Sequence, residues 1–301
     1  MSDYTVILAA RMGSTRLPGK AIADYGAGPN LTCIIERWQA SDRQPVIIFT
    51  TTTRDEDTPL AQLAIGMGLP VMRGDPANQV EQFDKALRTY TPDACYVARA
   101  LADNPLVDVA LADWRLDVLR DTGAEGLWYG GREAEITYAG TTDVWSRSAW
   151  DRIASQSSGS QLEHPGEYYW NNIAKFSVVQ LPMPRREYLA PIRTELDTDD
   201  DLTMFKALQN QWGVAPVPTL WGLKWLIANP QVAAINADVP IKTQSQAAFP
   251  NHFKPWICDN CQGRGGSIVD GNLRVFCSTC GKPHTYYAHK PARIGPRGLT
   301  R

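Results

Sequence analysis

Glycine, hydroxyl and positively charged residues follow the first apolar stretch of the chain. Residues 5–10 are hydrophobic and β-prone, and Arg11-Met-Gly-Ser-Thr-Arg-Leu-Pro-Gly-Lys20 comes directly after them. Backbone N–H groups in such a loop can point together at anionic oxygens, and a following helix adds a favourable dipole. Arg can bind phosphate oxygens in a bidentate manner, whereas Lys acts as a point charge. The loop therefore predicts a polyphosphate site, with the candidate residues Arg11, Gly13, Ser14, Arg16 and Lys20.

This loop differs from two common nucleotide-binding motifs. It lacks the Gly-x4-Gly-Lys-Ser/Thr spacing of the Walker A motif, and the chain has no Gly-x-Gly-x-x-Gly of the dinucleotide-binding type. The alternative without a ligand is a strand-to-loop turn whose basic side chains are solvated.

Two aspartates could hold a divalent cation beside such a site. Asp103 comes after an expected strand at 94–99, and Asp197 follows an expected short strand at 192–196. Mg²⁺ in proteins is held by one or two carboxylates together with phosphate oxygens. The alternatives are a turn role for Asp103 and helix capping for Asp197. Capping is the expected role of the acidic run 199–201.

Two cysteine pairs in the last fifth of the chain have the spacing of a metal site. Each pair is Cys-x-x-Cys, and 15 residues separate the pairs, which matches a zinc site with four thiolate ligands. Asp270-Gly271 lies between two β-prone stretches and predicts a hairpin. Four thiolates would make the site closed and structural, and disulfide or redox chemistry is the alternative. The candidate ligands are Cys258, Cys261, Cys277 and Cys280.

The same region is basic and aromatic. Residues 254–301 carry eight lysines and arginines against two aspartates, with Trp256, Phe276, Tyr286 and Tyr287 among them. This composition fits contact with nucleic acid or another anionic polymer. The competing interpretation is a zinc-stapled module that packs on the rest of the chain or mediates a homodimer, with a solvated basic tail.

Short apolar strands alternate with helices in the first hundred residues. This alternation predicts an α/β fold with a doubly wound, mostly parallel sheet, in which ligands lie beyond the carboxyl ends of the strands. The loops at 11–20, 73–79 and 99–105 should therefore converge on one crevice. Strands are expected at 4–10, 46–50, 69–72 and 94–99, and helices at 29–40, 57–67 and 78–89.

The pattern changes from 126 to 190, where strand-like stretches at 128–131, 136–140 and 176–181 lack regular helical partners. We expect an insertion there that completes a pocket wall. Helices are expected again at 202–211, 220–227 and 232–235. The predicted organisation is a large domain at 1–240, a linker at 241–253, the zinc ribbon at 254–290 and a basic tail at 291–301.

Composition excludes several classes of protein. The chain has 301 residues and a net charge of −2, so the whole molecule is not an obvious polyanion binder. It has no apolar run long enough for a membrane span. The N-terminus lacks the pattern of a signal peptide, so a cytoplasmic location is expected. Cys33 and Cys95 stand in apolar contexts and are expected to be core residues.

The motif Ile7-Leu-Ala-Ala-Arg-Met-Gly-Ser-Thr-Arg-Leu-Pro-Gly-Lys20 resembles the signature of the cytidylyltransferases that activate acidic sugars. Within them it is most similar to the spore coat polysaccharide biosynthesis type, and it is similar to the 3-deoxy-manno-octulosonate and acylneuraminate cytidylyltransferases. The resemblance extends over residues 4–240 through further segments that agree in order and spacing. They are Val71-Met-Arg-Gly-Asp75, Val97-Ala-Arg-Ala-Leu-Ala-Asp-Asn-Pro-Leu106, Leu162-Glu-His-Pro165 and Arg193-Thr-Glu-Leu-Asp-Thr-Asp-Asp-Asp-Leu202.

The resemblance implies a glycosyltransferase-A-like nucleotidyltransferase domain and transfer of a nucleoside monophosphate, CMP from CTP, to a sugar or small acidic acceptor with release of pyrophosphate. It implies that Asp103 and Asp197 hold Mg²⁺ and that Arg16 and Lys20 act on the triphosphate. The candidate nucleotide-binding residues are Ala9, Ala10, Arg11, Gly13, Ser14, Arg73, Gly74 and Asp75. The candidate acceptor-binding residues are Asp143, Glu163 and His164.

The sequence departs from the family pattern at three places. Leu162 replaces an Arg, Trp145 occupies a position near Asp143 where a second acidic residue is expected, and the zinc ribbon is additional. Two other functions therefore stay open. One is a nucleic-acid or polymer-associated protein whose ribbon directs binding while its first domain only binds a nucleotide. The other is a nucleotidyltransferase for a phosphorylated sugar or another small acid.

Overall fold

The computed structural model describes residues 2–128, 138–180, 187 and 190–240 together with three short strands near the C-terminus. The strands are β1 Tyr4–Ala9, β2 Val46–Thr52, β3 Val71–Gly74, β4 Tyr96–Leu101, β5 Gly126–Trp128, β6 Asp143–Ser146, β7 Val178–Gln180, β8 Ser267–Val269, β9 Val275–Cys277 and β10 Ala288–His289. The helices are α1 Asn30–Gln39, α2 Thr58–Gly66, α3 Gln79–Tyr90, α4 Val109–Thr122, α5 Arg147–Gln156, α6 Glu167–Asn171, α7 Asp199–Trp212, α8 Thr219–Ala228 and α9 Pro230–Ala233.

The main sheet has the strand order β3-β2-β1-β4-β6. Strands β1 to β4 are parallel, and β6 runs antiparallel to β4 at the sheet edge. The order runs outward from β1 to β3 on one side and to β4 on the other, so the direction of winding reverses between β1 and β4. In doubly wound sheets, ligands bind beyond the carboxyl ends of the strands at such a switch point. The expected mostly parallel α/β fold is confirmed.

The sheet is covered on both faces, which explains why its central strands are rich in apolar residues. Val6 and Leu8 of β1 point into a core shared with α1, α4, α7 and α8. Ile7 points to the opposite face, into a second core with α3, α5 and the aromatic residues of α6. All three β1 side chains are fully buried, and each such burial contributes about 1.5–3 kcal/mol of hydrophobic free energy. The end of β1 is thereby a fixed platform for the loop that follows it.

The structure corrects the sequence expectation for the middle of the chain. Helices α5 and α6 lie within the region that was expected to lack helices, and residues 138–140 form a short 3-10 turn instead of a strand. Residues 192–196 are extended but belong to no strand. Cys33 is buried as expected, but Cys95 is exposed, so the expectation of a core position for Cys95 is wrong.

Helix α7 begins at Asp199, three residues earlier than expected, because Thr198 caps it. The Thr198 hydroxyl accepts from the Asp201 N–H at 3.2 Å, and the Asp201 carboxylate accepts from the Thr198 N–H at 2.9 Å. The capping role expected within the acidic run is thus confirmed for Asp201.

Two features involve the C-terminal part. Strands β8 and β9 form an antiparallel hairpin, as the sequence predicts. Strand β10 pairs with β7 in a small sheet of order β10-β7-β5. Among the described residues, no helix is long and apolar enough to cross a membrane.

Candidate active site

Two cations and two carboxylates meet beyond the carboxyl ends of β1 and β4. The Lys20 ammonium lies 3.1 Å from Asp103 Oδ2 and 2.5 Å from Asp197 Oδ1. Arg16 donates to the other oxygen of Asp197. Less than a third of each of these four side chains is exposed. The residues come from three segments far apart in sequence, and they meet at the switch point of the sheet.

Two backbone contacts hold these segments together. The Leu196 N–H donates to the Asp103 carbonyl at 2.9 Å, so the residue before Asp197 is attached directly to Asp103. The buried Asn30 amide donates to the Ala102 carbonyl at 2.5 Å and to the Lys20 carbonyl at 3.4 Å. Asn30 therefore connects the end of the loop at residues 11–20, the phosphate loop, to the turn that carries Asp103. Asn30 was not among the predicted site residues, because nothing in its local pattern distinguishes it from an ordinary first residue of a helix.

The ion pairs oppose the effect of burial on both charges. Burial disfavours the ionised form of Asp197, but the hydrogen bond and charge of Lys20 outweigh it, so the pKa of Asp197 lies below its usual value. Burial likewise disfavours the charged form of Lys20, but Asp103 and Asp197 outweigh it, and the pKa of Lys20 is raised. Both groups are therefore charged at neutral pH and available to bind oppositely charged partners.

A buried arginine, Arg193, lies next to Asp197 and connects it to the start of α7. The Arg193 side chain is 4% exposed, and its Nε lies 2.8 Å from Asp201 while one Nη lies 3.6 Å from Asp197. Its other Nη lies 2.6 Å from Glu195. Burial raises the pKa of Glu195, with the negative charges of Asp103 and Asp197 acting in the same direction and Arg193 against them. Arg193 and Glu195 stand within the motif around Asp197, and this proximity was the available sequence signal for them.

The phosphate loop is fastened at Met12. The Met12 N–H donates to Asp57 Oδ1 at 2.6 Å, and the Thr52 hydroxyl donates to the other oxygen of the same fully buried carboxylate. The Gly19 N–H donates a hydrogen bond to the Met12 carbonyl at 3.1 Å. Gly19 has a φ of +73°, a backbone conformation that favours glycine. These contacts close residues 12–19 into a compact loop. Asp57 was another residue missed by the sequence analysis.

The other candidate nucleotide-binding residues surround this loop. Ala9 and Ala10 are half-buried at the end of β1, and Ser14 is half-buried as well, while Arg11 is exposed. The Ser14 hydroxyl accepts from the Leu17 N–H at 3.4 Å. Gly13 lies against the turn after β2. The structure does not contradict a role for these residues in nucleotide binding.

Arg73, Gly74 and Asp75 are engaged by the protein itself. The Arg73 guanidinium donates to the carbonyls of Thr52 at 2.8 Å and Arg54 at 2.7 Å. A Cβ at Gly74 would lie 3.0 Å from the Gln82 side chain, so the missing side chain at this position makes room for Gln82. The Asp75 carboxylate accepts from the Ala77 N–H at 2.9 Å in an exposed turn. Arg73 and Gly74 belong to β3, whereas the sequence analysis placed them on a loop.

The candidate acceptor-binding residues lie around β6. Asp143 Oδ2 is 3.2 Å from Arg99 Nη1, and burial raises the pKa of Asp143 while Arg99 opposes that shift. Trp145 is buried in the aromatic core with Trp150 and Tyr169, so the position where the family pattern is acidic has become a packing position. Glu163 and His164 are exposed, two to three residues before Gly166, whose backbone passes beside Asp143.

The donor set suits a magnesium ion. Oxygens of Asp103 and Asp197 converge on one point, because the same ammonium group binds both, and hard oxygen ligands are those that Mg²⁺ prefers. The part of the chain that the structure describes contains no cluster of three or more potential metal-ligating side chains. The zinc site predicted from Cys258, Cys261, Cys277 and Cys280 lies outside the described residues, apart from the backbone of Cys277 in β9.

Comparisons with known proteins identify relatives of this chain. The cytidylyltransferase family model matches residues 5–153. The spore coat polysaccharide biosynthesis protein SpsF of Bacillus subtilis is 30% identical over 222 residues, covering 72% of this chain and 90% of SpsF. The structure of a cytidylyltransferase from Leptospira borgpetersenii has a TM-score of 0.70 at 23% identity, covering 80% of this chain and 99% of that chain.

A more distant structure shares the fold. CMP:2-keto-3-deoxy-manno-octonic acid synthetase, solved in complex with CTP, has a TM-score of 0.52 at 14% identity and covers 69% of this chain and 99% of its own. At these low identities the two structural similarities show the fold alone. The similarity to SpsF, by contrast, spans most of both chains. The chain therefore belongs to the cytidylyltransferase family and is a nucleotidyltransferase.

Proposed function

We propose that this protein transfers CMP from CTP to a sugar or small acidic acceptor and releases pyrophosphate. The observation that carries the proposal is the meeting of Arg16 and Lys20 with Asp103 and Asp197 at the switch point. The group combines cations that can bind a triphosphate with carboxylates that can hold its metal ion. The cytidylyltransferase family and the CTP complex of the similar synthetase support the choice of base.

The chain's own residues would act by positioning and by charge. Arg16 and Lys20 would exchange their carboxylate partners for the β- and γ-phosphate oxygens, with Gly13 and Ser14 supplying the surface of the loop. Asp103 and Asp197 would then hold Mg²⁺. When bound, Mg²⁺ neutralises charge on the phosphate oxygens and orients them.

The reaction is a displacement at phosphorus. A hydroxyl oxygen of the acceptor forms a bond to the α-phosphorus and its proton passes to water. The bond from that phosphorus to the bridging oxygen breaks, and pyrophosphate leaves with the electron pair of that bond. Fixed cations beside the departing phosphates stabilise this charge where it develops. Because backbone hydrogen bonds at Met12, Ala102 and Asp103 fix the segments that carry these groups, little reorganisation is needed at that moment.

The acceptor would bind on the β6 side of the crevice. Asp143 can accept hydrogen bonds from acceptor hydroxyls, while Arg99 holds its carboxylate in place. Glu163 and His164 are exposed and available for further contacts. With Trp145 buried, this wall lacks the second carboxylate of the family pattern, which would favour an acceptor with more negative charge or fewer hydroxyl donors.

Two measurements test the proposal. Thermal shifts with CTP, UTP, ATP and GTP, each with and without Mg²⁺, should show a metal-dependent stabilisation selective for CTP. Asp103→Asn should lower CTP-dependent pyrophosphate release with an acidic-sugar panel at least about 100-fold while the protein stays folded. Asp117→Asn, at a carboxylate on α4 paired with Arg43, is the control and should keep normal turnover. Normal turnover in Asp103→Asn would refute the site.

A second candidate function rests on the basic, aromatic composition of residues 254–301. The alternative is binding of the full chain to nucleic acid or an anionic polymer through this region. Binding that weakens steeply with salt would support it. No retention of DNA or RNA on a filter at low salt would count against it.

A further inference from the structure

We propose that Arg54 is an additional triphosphate-binding residue, contributed by the turn after β2, which comprises residues 53–57. The proposal rests on the proposed function, since it names a further contact of the same nucleotide. Arg54 lies outside the phosphate loop and more than thirty residues after it in sequence, so the spacing of that loop's own cations gives no indication of its role.

The geometry places Arg54 directly over the loop. A Cβ added at Gly13 would lie 3.8 Å from Arg54 Nη1 and 3.3 Å from Glu56 Oε1. Both side chains therefore occupy the space beside the backbone where phosphate oxygens are expected. Any side chain at position 13 would press on Glu56, so glycine permits this close approach of the two turns.

Hydrogen bonds between side chains and backbone hold the turn after β2 against the phosphate loop on one side and against β3 on the other. Asp57 accepts from the Met12 N–H at 2.6 Å on one side of the contact. On the other side Arg73 donates to the Arg54 carbonyl at 2.7 Å and to the Thr52 carbonyl at 2.8 Å. Residue 54 takes part in these contacts only through its backbone carbonyl. Its side chain can therefore be changed without removing what positions the turn.

The Arg54 side chain is held loosely in comparison. Its nearest approach to Glu56 is 3.6 Å, and the two side chains are 56% and 52% exposed. An exposed ion pair of this kind contributes little stability and exchanges partners easily. A triphosphate carries more charge than one carboxylate and can accept two hydrogen bonds from a guanidinium. Arg54 is therefore placed to leave Glu56 for a phosphate oxygen, and the Glu56 carboxylate opposes the same nucleotide.

The opposite effects of the two residues provide the test. Dissociation constants of the full chain are measured by calorimetry for CTP, inorganic tripolyphosphate and CMP. Arg54→Gln should weaken binding of CTP and tripolyphosphate about tenfold, the effect of one charge-assisted hydrogen bond, and leave CMP unchanged. Glu56→Gln should tighten binding of both triphosphates. Arg43→Gln removes an exposed arginine that pairs with Asp117 away from the loop, and it should change none of them.

Three outcomes would overturn the assignment. An unchanged affinity for CTP in Arg54→Gln would show that Arg54 does not touch the nucleotide. An equal loss for CMP would show that its effect is not on the β- and γ-phosphates. Weaker binding in Glu56→Gln would show that the ion pair supports the site. If the wild-type chain bound neither CTP nor tripolyphosphate, the proposed function itself would be refuted. If the wild-type chain binds both and Arg54→Gln binds them equally well, only the assignment of Arg54 is refuted.

Discussion

Lys20 is the residue through which nucleotide and metal binding should be linked. Its ammonium lies between Asp103 and Asp197, so a divalent cation must compete with it for the same oxygens. The phosphates of a nucleotide offer Lys20 another partner and release these oxygens. Nucleotide and metal should therefore each increase the affinity of the other, and the coupling must be reciprocal.

Replacing Lys20 by Met tests this competition. Lys20→Met removes the charge but keeps a side chain of similar length, so we expect Mn²⁺ to bind about tenfold more tightly in the absence of nucleotide. Turnover should be lost, because the triphosphate loses a cation. Lys85→Met is the matched control, since Lys85 forms an exposed pair with Glu81. Electron paramagnetic resonance titration of free Mn²⁺ would measure the effect, and equal affinities in all three proteins would contradict it.

The Asp197 ion pairs should contribute a pH-dependent part of the stability. The pKa of Asp197 is lowered, so its contribution is present above the pKa of the unfolded chain and is lost as pH falls through the folded value. The pKa of Lys20 is raised, so its contribution is present below the unfolded value and is lost as pH rises through the folded one.

We therefore expect Asp197→Asn to lower the free energy of unfolding most at neutral pH. The difference from wild type should shrink below the usual pKa range of aspartate and again at strongly alkaline pH. Urea unfolding over a pH series measures it, with Asp200→Asn as an exposed control in the next turn. A difference that stays constant across the series would show that the carboxylate acts through packing alone.

At the level of elements, the phosphate loop depends on the turn that begins α2. Asp57→Ala would leave the Met12 N–H and the Thr52 hydroxyl without their buried acceptor. Each unsatisfied buried group costs about 1–3 kcal/mol, so unfolding in urea should occur at clearly lower concentration. The affinity for CTP should fall as well, because the loop loses its attachment. Asp55→Ala, in the same turn but exposed, should do neither, and equal effects in both variants would contradict the role of Asp57.

The sequence predicts those elements whose pattern is local. β1, β2 and β4 are largely apolar runs that alternate with helices, so their identity and parallel order follow from the alternation. β6 could not be predicted in this way, because an antiparallel strand of four residues next to β4 breaks the alternation. Likewise, the extended segment at 192–196 has the composition of a strand, but it makes its backbone contact with Asp103 and not with a neighbouring strand.

The residues of the site likewise differ in whether the sequence alone indicates them. Lys20, Asp103 and Asp197 stand in recognisable motifs, and the structure brings them together. Asn30 and Asp57 could not be found from sequence, since each acts on backbone groups of a segment distant from it. Their roles exist only once the sheet has aligned the ends of its strands.

For the whole molecule, the predicted zinc ribbon is the part that comparison with the family does not address. The full chain, purified under reducing conditions, should contain about one zinc per chain by elemental analysis. Cys280→Ser should remove the zinc and leave CTP-dependent turnover intact, because four thiolates leave no open position for chemistry. Cys95→Ser, at an exposed cysteine, is the control. Metal-free wild-type protein with paired cysteines would establish disulfides instead.

The hydrogen bond between the Leu196 N–H and the Asp103 carbonyl also affects when the enzyme matures during its synthesis. A ribosome adding about 5–20 residues per second needs several seconds to pass from one partner to the other. During this interval the first four parallel strands can already pair, while Lys20 and Asp103 lack Asp197. A nascent chain that stops before this point can have most of its sheet and yet gain little protection from nucleotide. If CTP binds at this site as proposed, we expect it to stabilise the nascent chain only after the segment carrying Asp197 has left the ribosome.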